Sequence, residues 1–159
     1  MTSRSNFTYD ELHVGQTARY QRGIDMNHIR LFAAASGDVN PVHLDPDFAA
    51  GTAFGEPIAH GMLTGGLVSA ALALVLPGPG TIYLGQSLRF RAPVKPGDTL
   101  TVELTVTDKQ DKRQRVNLDC KVLNQRDQVV ASGTAEVMAP SEKLSIELPP
   151  EPVFQLRDV

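Results

Sequence analysis

The stretch His60–Leu76, HGMLTGGLVSAALALVL, is the feature that most restricts how this chain can fold. No acidic or basic side chain follows His60 within it, and at 1.5 Å per residue it predicts a helix of roughly 25 Å. A helix apolar nearly all round has no face to give to water, so other protein must surround it. Gly61, Gly65 and Gly66 lower its helix propensity, which points to close approach of another group to the backbone there. Its first turn carries N–H groups without intrahelical acceptors, at the positive end of the helix dipole. That is a natural seat for an oxygen that is gaining negative charge. The sequence PGPG at 77–80 then stops the helix.

The segments on either side supply the protein that must cover it. Residues 16–21 read as a short strand, and Asp25 caps a helix through Met26, Ile29, Phe32 and Ala35 that ends at Ser36-Gly37. Asp45-Pro46 starts a second short helix, through Ala50. Beyond the PGPG stop the pattern changes to the strand period over 81–91, 99–107, 115–124 and 129–138. Turn-forming links separate these segments, so they are expected to form an antiparallel meander with one apolar face. Strands of about 9 residues span ~30 Å, close to the helix length, so the economical fold is α+β: a curved sheet wrapped round one long helix. Residues 140–159 contain Pro140, Pro149, Pro150 and Pro152 and read as an extended Pro-rich tail, leaving 1–139 as one domain.

Composition narrows the function classes. With 159 residues and a formal charge of −3, the chain can bury a core but offers no basic field to nucleic acid or an anionic membrane. The start, MTSRSNFTYDEL, lacks the apolar run of a signal peptide, and the long helix is too short to cross a bilayer. Cys120 is the single cysteine, so no intrachain disulfide is possible. These features describe a cytoplasmic enzyme or binding domain.

The polar segment SGDVNPVH is where chemistry can sit. Asp38 and His43, held by a loop stiffened at Pro41, can share a water as an acid–base pair, with Asn40 bonding back to the main chain. The same residues also describe an ordinary capped turn. Oxygen ligands abound in DVNPVHLDPD, but a calcium loop beginning at Asp38 would need Gly at 43 and Glu at 49, where this chain has His43 and Ala49. No zinc ligand spacing occurs, so no metal or cofactor is expected. Ser69 lacks the glycine of a nucleophile elbow and reads as a hydroxyl on the helix, on a similar side to Gly61. His60 has two readings, a residue lining the site or, the leading one, a helix-start histidine held by a local hydrogen bond. Arg89 and Arg91 read as a solvated strand face.

The segments FAAASGDVNPVHLDPDFA, IAHGMLTGGLVSA and LPGPGTIYLGQSLRFRAPVKPGD together resemble the MaoC-like (R)-specific enoyl-CoA hydratases, over most of residues 11–140. The resemblance implies a hot-dog fold, a homodimer, and (R)-specific hydration of 2-enoyl-CoA thioesters without a cofactor. It implies Asp38 and His43 as the catalytic pair, and Gly61 as the N–H donor to the thioester oxygen. Asn40 would brace the loop, and Ser69 would stand near the acyl pocket. The small residues Gly65, Gly66 and Ala70 of the helix either open a slot for the acyl chain or let the sheet pack closely. The YLGQSLRF segment and the tail are also similar to a hydratase-type domain fused to a phosphate acetyltransferase in some bacterial proteins, which implies such an enzyme as a partner. Rival readings are a hot-dog acyl-CoA thioesterase, a dehydratase acting on carrier-bound acyl groups, and a non-catalytic acyl-CoA-binding module.

Overall fold

A computed structural model describes residues 2–155. Its strands are β1 (Ser3–Ser5), β2 (Thr17–Gly23), β3 (Ile82–Phe90), β4 (Thr99–Gln110), β5 (Arg115–Leu123), β6 (Val129–Met138) and β7 (Ser145–Glu147). Its helices are α1 (Met26–Ser36), α2 (Pro41–Leu44), α3 (Pro46–Ala50) and α4 (Gly61–Leu74). The last is the long apolar helix, and it packs against β2, β3, β4 and β5. The chain is thus a hot-dog fold, one helix against one antiparallel sheet.

The sheet order, β2-β4-β5-β6-β3, corrects the expected meander. Strands β4, β5 and β6 do follow one another, but β3 pairs with β6, from Ile82↔Met138 to Phe90↔Ala131. The link at 91–98 explains the crossing. It is longer than a hairpin loop and carries Pro93 and Pro96, so β3 does not simply turn back on itself. One end of the link is tied beside β6 by Arg91 N–H to Val130 O, 2.8 Å, and the other beside β2 by Gly97 N–H to Ile24 O, 2.7 Å. The β3–β6 contact also demands a glycine: a Cβ on Gly133 would lie 1.8 Å from Ser87 O.

Strand alternation puts Leu100, Val102, Leu104 and Val106 of β4 inside, with Val116, Leu118, Cys120 and Val122 of β5. They meet Leu67, Val68, Ala71 and Leu72 of α4 in one core. Burial of side chains this size contributes about 1.5–3 kcal/mol each. Cys120 is a packing residue, with burial pushing its thiol up to about 11.

Two features differ from expectation. First, α4 is surrounded on one side only by the described residues. Met62 is 59% exposed, and Gly66 and Ala73 are exposed beside it at helical spacing. Second, the Pro-rich tail is fastened to the body of the protein. Within it β7 pairs with β1, Ser5 opposite Ser145. Buried Asn6 donates to Pro79 O and Glu142 O at 3.0 and 2.9 Å, and accepts from Leu144 N–H at 3.0 Å. A buried amide with that many partners fixes the segment it touches.

Candidate active site

Helix α1 delivers the chain to the site. Asp25 caps its start by accepting from His28 N–H, 3.0 Å, while Ile29 and Ala33 are buried on its inner side. Gly37 ends it at φ +78°, a left-handed conformation that glycine adopts without strain. Asp38 follows, its N–H on Ser36 Oγ at 3.2 Å and its Oδ1 accepting from Asn40 N–H at 3.2 Å. Asn40 then caps α2 through Oδ1 to Val42 N–H, 3.2 Å, with Pro41 at the first helical position. The short helix α2 is a single turn within the segment expected as loop. It carries His43 inward, with only 12% of the side chain exposed.

The orientation of His43 follows from its neighbours. Nδ1 sits 2.7 Å from Ile58 O, and a carbonyl can only accept, so Nδ1 carries the hydrogen. In the neutral ring Nε2 then keeps its lone pair, 3.8 Å from Asp38 Oδ2. Half of the Asp38 side chain remains exposed. The two atoms are too far apart for a direct hydrogen bond and close enough for one water to touch both.

A cavity of about 370 Å³ opens beside this pair. His43, Gly61, Thr64, Phe54, Phe90 and Arg91 are among its lining residues. Gly61 begins α4, so its N–H has no acceptor within the helix. A Cβ on Gly61 would meet the Phe90 ring at 2.9 Å, so the glycine lets the ring lie against the helix start. Arg91 donates from Nε to Ser132 Oγ, 3.1 Å, at the cavity wall. Asp38 stands outside this lining, reached across His43.

The structure separates Ser69 and Gly65 from this group. They line a different, apolar recess of about 500 Å³ with Met62, Tyr83, Leu84 and Leu88. Eight residues at 3.6 per turn leave Ser69 about 80° round the helix from Gly61, enough to face a different neighbour. A Cβ on Gly65 would stand 3.2 Å from Leu88 Cδ1, so this glycine serves the close packing of β3.

His60 differs from the leading expectation of a local hydrogen bond. It is 3% exposed, and its partner is Asp38 O, 2.9 Å from Nε2 and 22 residues away, not a local group. Its ring stacks on His43 with centroids 3.8 Å apart at 27°. The apolar residues on both sides of it were the available signal. Ligand atoms of Asp38, His43 and His60 lie within 4.8 Å of one another.

Residues 11–127 match the family model described as the MaoC like domain. The chain is 55% identical to R-Hydratase PhaJ1 from Pseudomonas aeruginosa, solved in the unliganded form, with a TM-score of 0.93 over 98% of this chain and 99% of that one. It is 45% identical over 129 residues to the (R)-specific enoyl-CoA hydratase of Aeromonas caviae, covering 81% of this chain and 96% of the relative. It is 42% identical over 135 residues to the 3-hydroxybutyryl-CoA dehydratase of Methylorubrum extorquens, covering 85% of each.

Proposed function

The chain belongs to the MaoC-like family, and on that premise we propose that it is an (R)-specific enoyl-CoA hydratase, adding water reversibly to trans-2-enoyl-CoA. The observation that carries this reading is the spacing of His43 Nε2 and Asp38 Oδ2 beside the cavity headed by Gly61. The names of the relatives at 42–45% identity support the substrate class.

The chemistry follows from that spacing. One water sits between Asp38 and His43. As the water oxygen bonds to C3, one of the pair takes a proton from it and the other gives a proton to C2. The pair ends with the same proton count, and the product is the 3-hydroxyacyl thioester. In the transition state negative charge gathers on the thioester oxygen. The free N–H of Gly61, at the positive end of α4, is the donor for it, and such a donor is worth about 3 kcal/mol. Water and proton come from one side of the substrate, which makes the addition syn; the (R) configuration depends on which face of C3 meets the pair, and the names of the relatives support it.

The test is a progress curve with crotonyl-CoA and with a longer enoyl-CoA, with chiral analysis of the product and a thiol trap for free CoA. Loss of enoyl absorbance with (R)-3-hydroxyacyl-CoA formed is the expected result. Release of CoA without hydration would mean a thioesterase, and tight binding without turnover a binding module.

We also infer a homodimer. Support comes from the uncovered side of α4 and from β3, an outer strand of the sheet with Ile82, Tyr83 and Leu84 exposed. No helix among the described residues is long and apolar enough to cross a membrane. A cytoplasmic location is consistent with that and with the lone buried thiol.

A further inference from the structure

We propose that His60 is a positioning residue of the hydration reaction, holding the acid–base pair in register with the Gly61 N–H; this rests on the hydratase reading. His60 occupies the N-cap of α4 yet makes no side-chain bond to its own helix. Residues chosen to cap a helix are Ser, Thr, Asp or Asn, whose oxygens accept from its first N–H groups. The imidazole instead reaches the neighbouring loop. Asp38 O can only accept, so His60 Nε2 carries the hydrogen, and in the neutral ring Nδ1 keeps a lone pair. That Nδ1 is buried with no hydrogen-bond partner among the described residues. A buried acceptor left unpaired lowers stability, so this arrangement is costly for a residue whose only task is to fill space.

The ring does a second job. It contacts Phe32 of α1, centroids 4.9 Å apart and tilted by 45°, and stacks on His43, centroids 3.8 Å apart. The first contact ties the ring to α1, and the second seats the imidazole whose Nε2 is 3.8 Å from Asp38 Oδ2. The two histidines hold opposite tautomers, His60 with hydrogen on Nε2 and His43 with hydrogen on Nδ1. Because His60 directly precedes Gly61, one side chain sets both acid–base residues against the helix start. A displacement small on the scale of the fold is large on the scale of a bond-forming geometry.

Two variants divide the contributions. His60→Phe keeps a flat ring for the stack and removes the donor. His60→Gln puts an amide N–H near the place of Nε2 and removes the ring. With crotonyl-CoA, His60→Phe is expected to lose at least tenfold in kcat with KM within twofold of wild type. His60→Gln is expected to recover to within threefold of wild-type kcat. A space-filling residue would give the reverse order, with Phe the milder change and losses following Tm. A kcat within twofold of wild type for His60→Phe, or no advantage for His60→Gln, overturns the proposal.

Nitrogen-15 histidine spectra of the wild-type chain decide the geometry even if His60→Phe does not fold. The Nε2–H tautomer at His60 is expected, and the Nδ1–H tautomer there overturns the assignment. A wild-type chain that does not hydrate enoyl-CoA would defeat the hydratase reading separately, whatever the tautomer.

Discussion

His43 Nε2 stands 3.8 Å from Asp38 Oδ2, a gap that one water spans and a direct hydrogen bond does not. The gap is set from both ends. Ile58 O holds the far nitrogen of the imidazole, and Asn40 N–H holds the other carboxylate oxygen. Removing either group's proton chemistry while keeping its shape is therefore the direct test. Asp38→Asn and His43→Gln are each expected to lower kcat by about 10²- to 10⁴-fold, followed as loss of enoyl absorbance. Both are expected to keep the wild-type circular dichroism spectrum. Near-normal turnover in both folded variants would end the assignment.

Gly61 has a steric role that can be separated from its N–H. Gly61→Ala adds a methyl where the Phe90 ring lies 2.9 Å away, so the ring must swing, and it can, being half exposed. The expected result is a fall of about tenfold in kcat/KM with little change in Tm, since alanine favours the helix by about 1 kcal/mol. Adding Phe90→Leu to Gly61→Ala is expected to return most of the activity. An unaltered kcat/KM in the single variant would show that the ring does not shape the site.

Gly133 is the corresponding test of the sheet. A methyl there would run into Ser87 O, which is backbone and cannot swing aside. Gly133→Ala is expected to destabilise the chain by about 3 kcal/mol, at the upper end for overpacking, read by urea denaturation. Cavity-facing Phe90 sits on the strand being pushed, so activity should fall in the fraction that remains folded.

The cap at Asp25 gives a pH signature. The His28 N–H, with His28 itself nearby, holds the Asp25 carboxyl below its ordinary range. A lowered folded-state value means the stabilisation is present above the unfolded value and is lost as pH falls through the folded one. Asp25→Ala is expected to cost about 1 kcal/mol at pH 7, the usual worth of such a cap. The difference from wild type should shrink steadily in thermal melts below pH 4. A difference constant down to pH 2 would rule out the charged cap.

Leu84 tests the inferred dimer. It is exposed on the outer strand β3, beside the recess that contains Met62 and Ser69. Leu84→Glu is expected to convert the dimer to monomer in size-exclusion chromatography with light scattering. A wild-type chain that is already monomeric at micromolar concentration would remove this reading.

Much of this site can be read in the sequence because local chemistry dictates it. The run from Gly61 to Leu74 has no polar side to offer water, and a helix is its only compact solution. The β4 and β5 alternation, Leu100-Val102-Leu104 and Val116-Leu118-Cys120, identifies which face is buried. Sheet order was not legible, because pairing of β3 with β6 depends on a link pinned at Val130 and Ile24, contacts remote in sequence. The same holds for His60, whose partner is 22 residues away. Asn40-Pro41 signals a cap and a first helical residue, but a helix as short as α2 gives too little periodicity to separate it from a turn. The tail reads as an extended arm because prolines dominate it, and its docking rests on contacts remote in sequence, the β1–β7 pairing and the buried amide of Asn6.

Among the described residues strand β3 has a hydrogen-bonded neighbour on one side only, and its last residue, Phe90, carries the aromatic ring lying against Gly61. Anything that steadies the strand's open margin therefore steadies the doorway to the thioester. Specific activity should consequently decline on dilution below the dissociation constant of the assembly, and return on concentration, without any change in the chemical groups that perform the reaction.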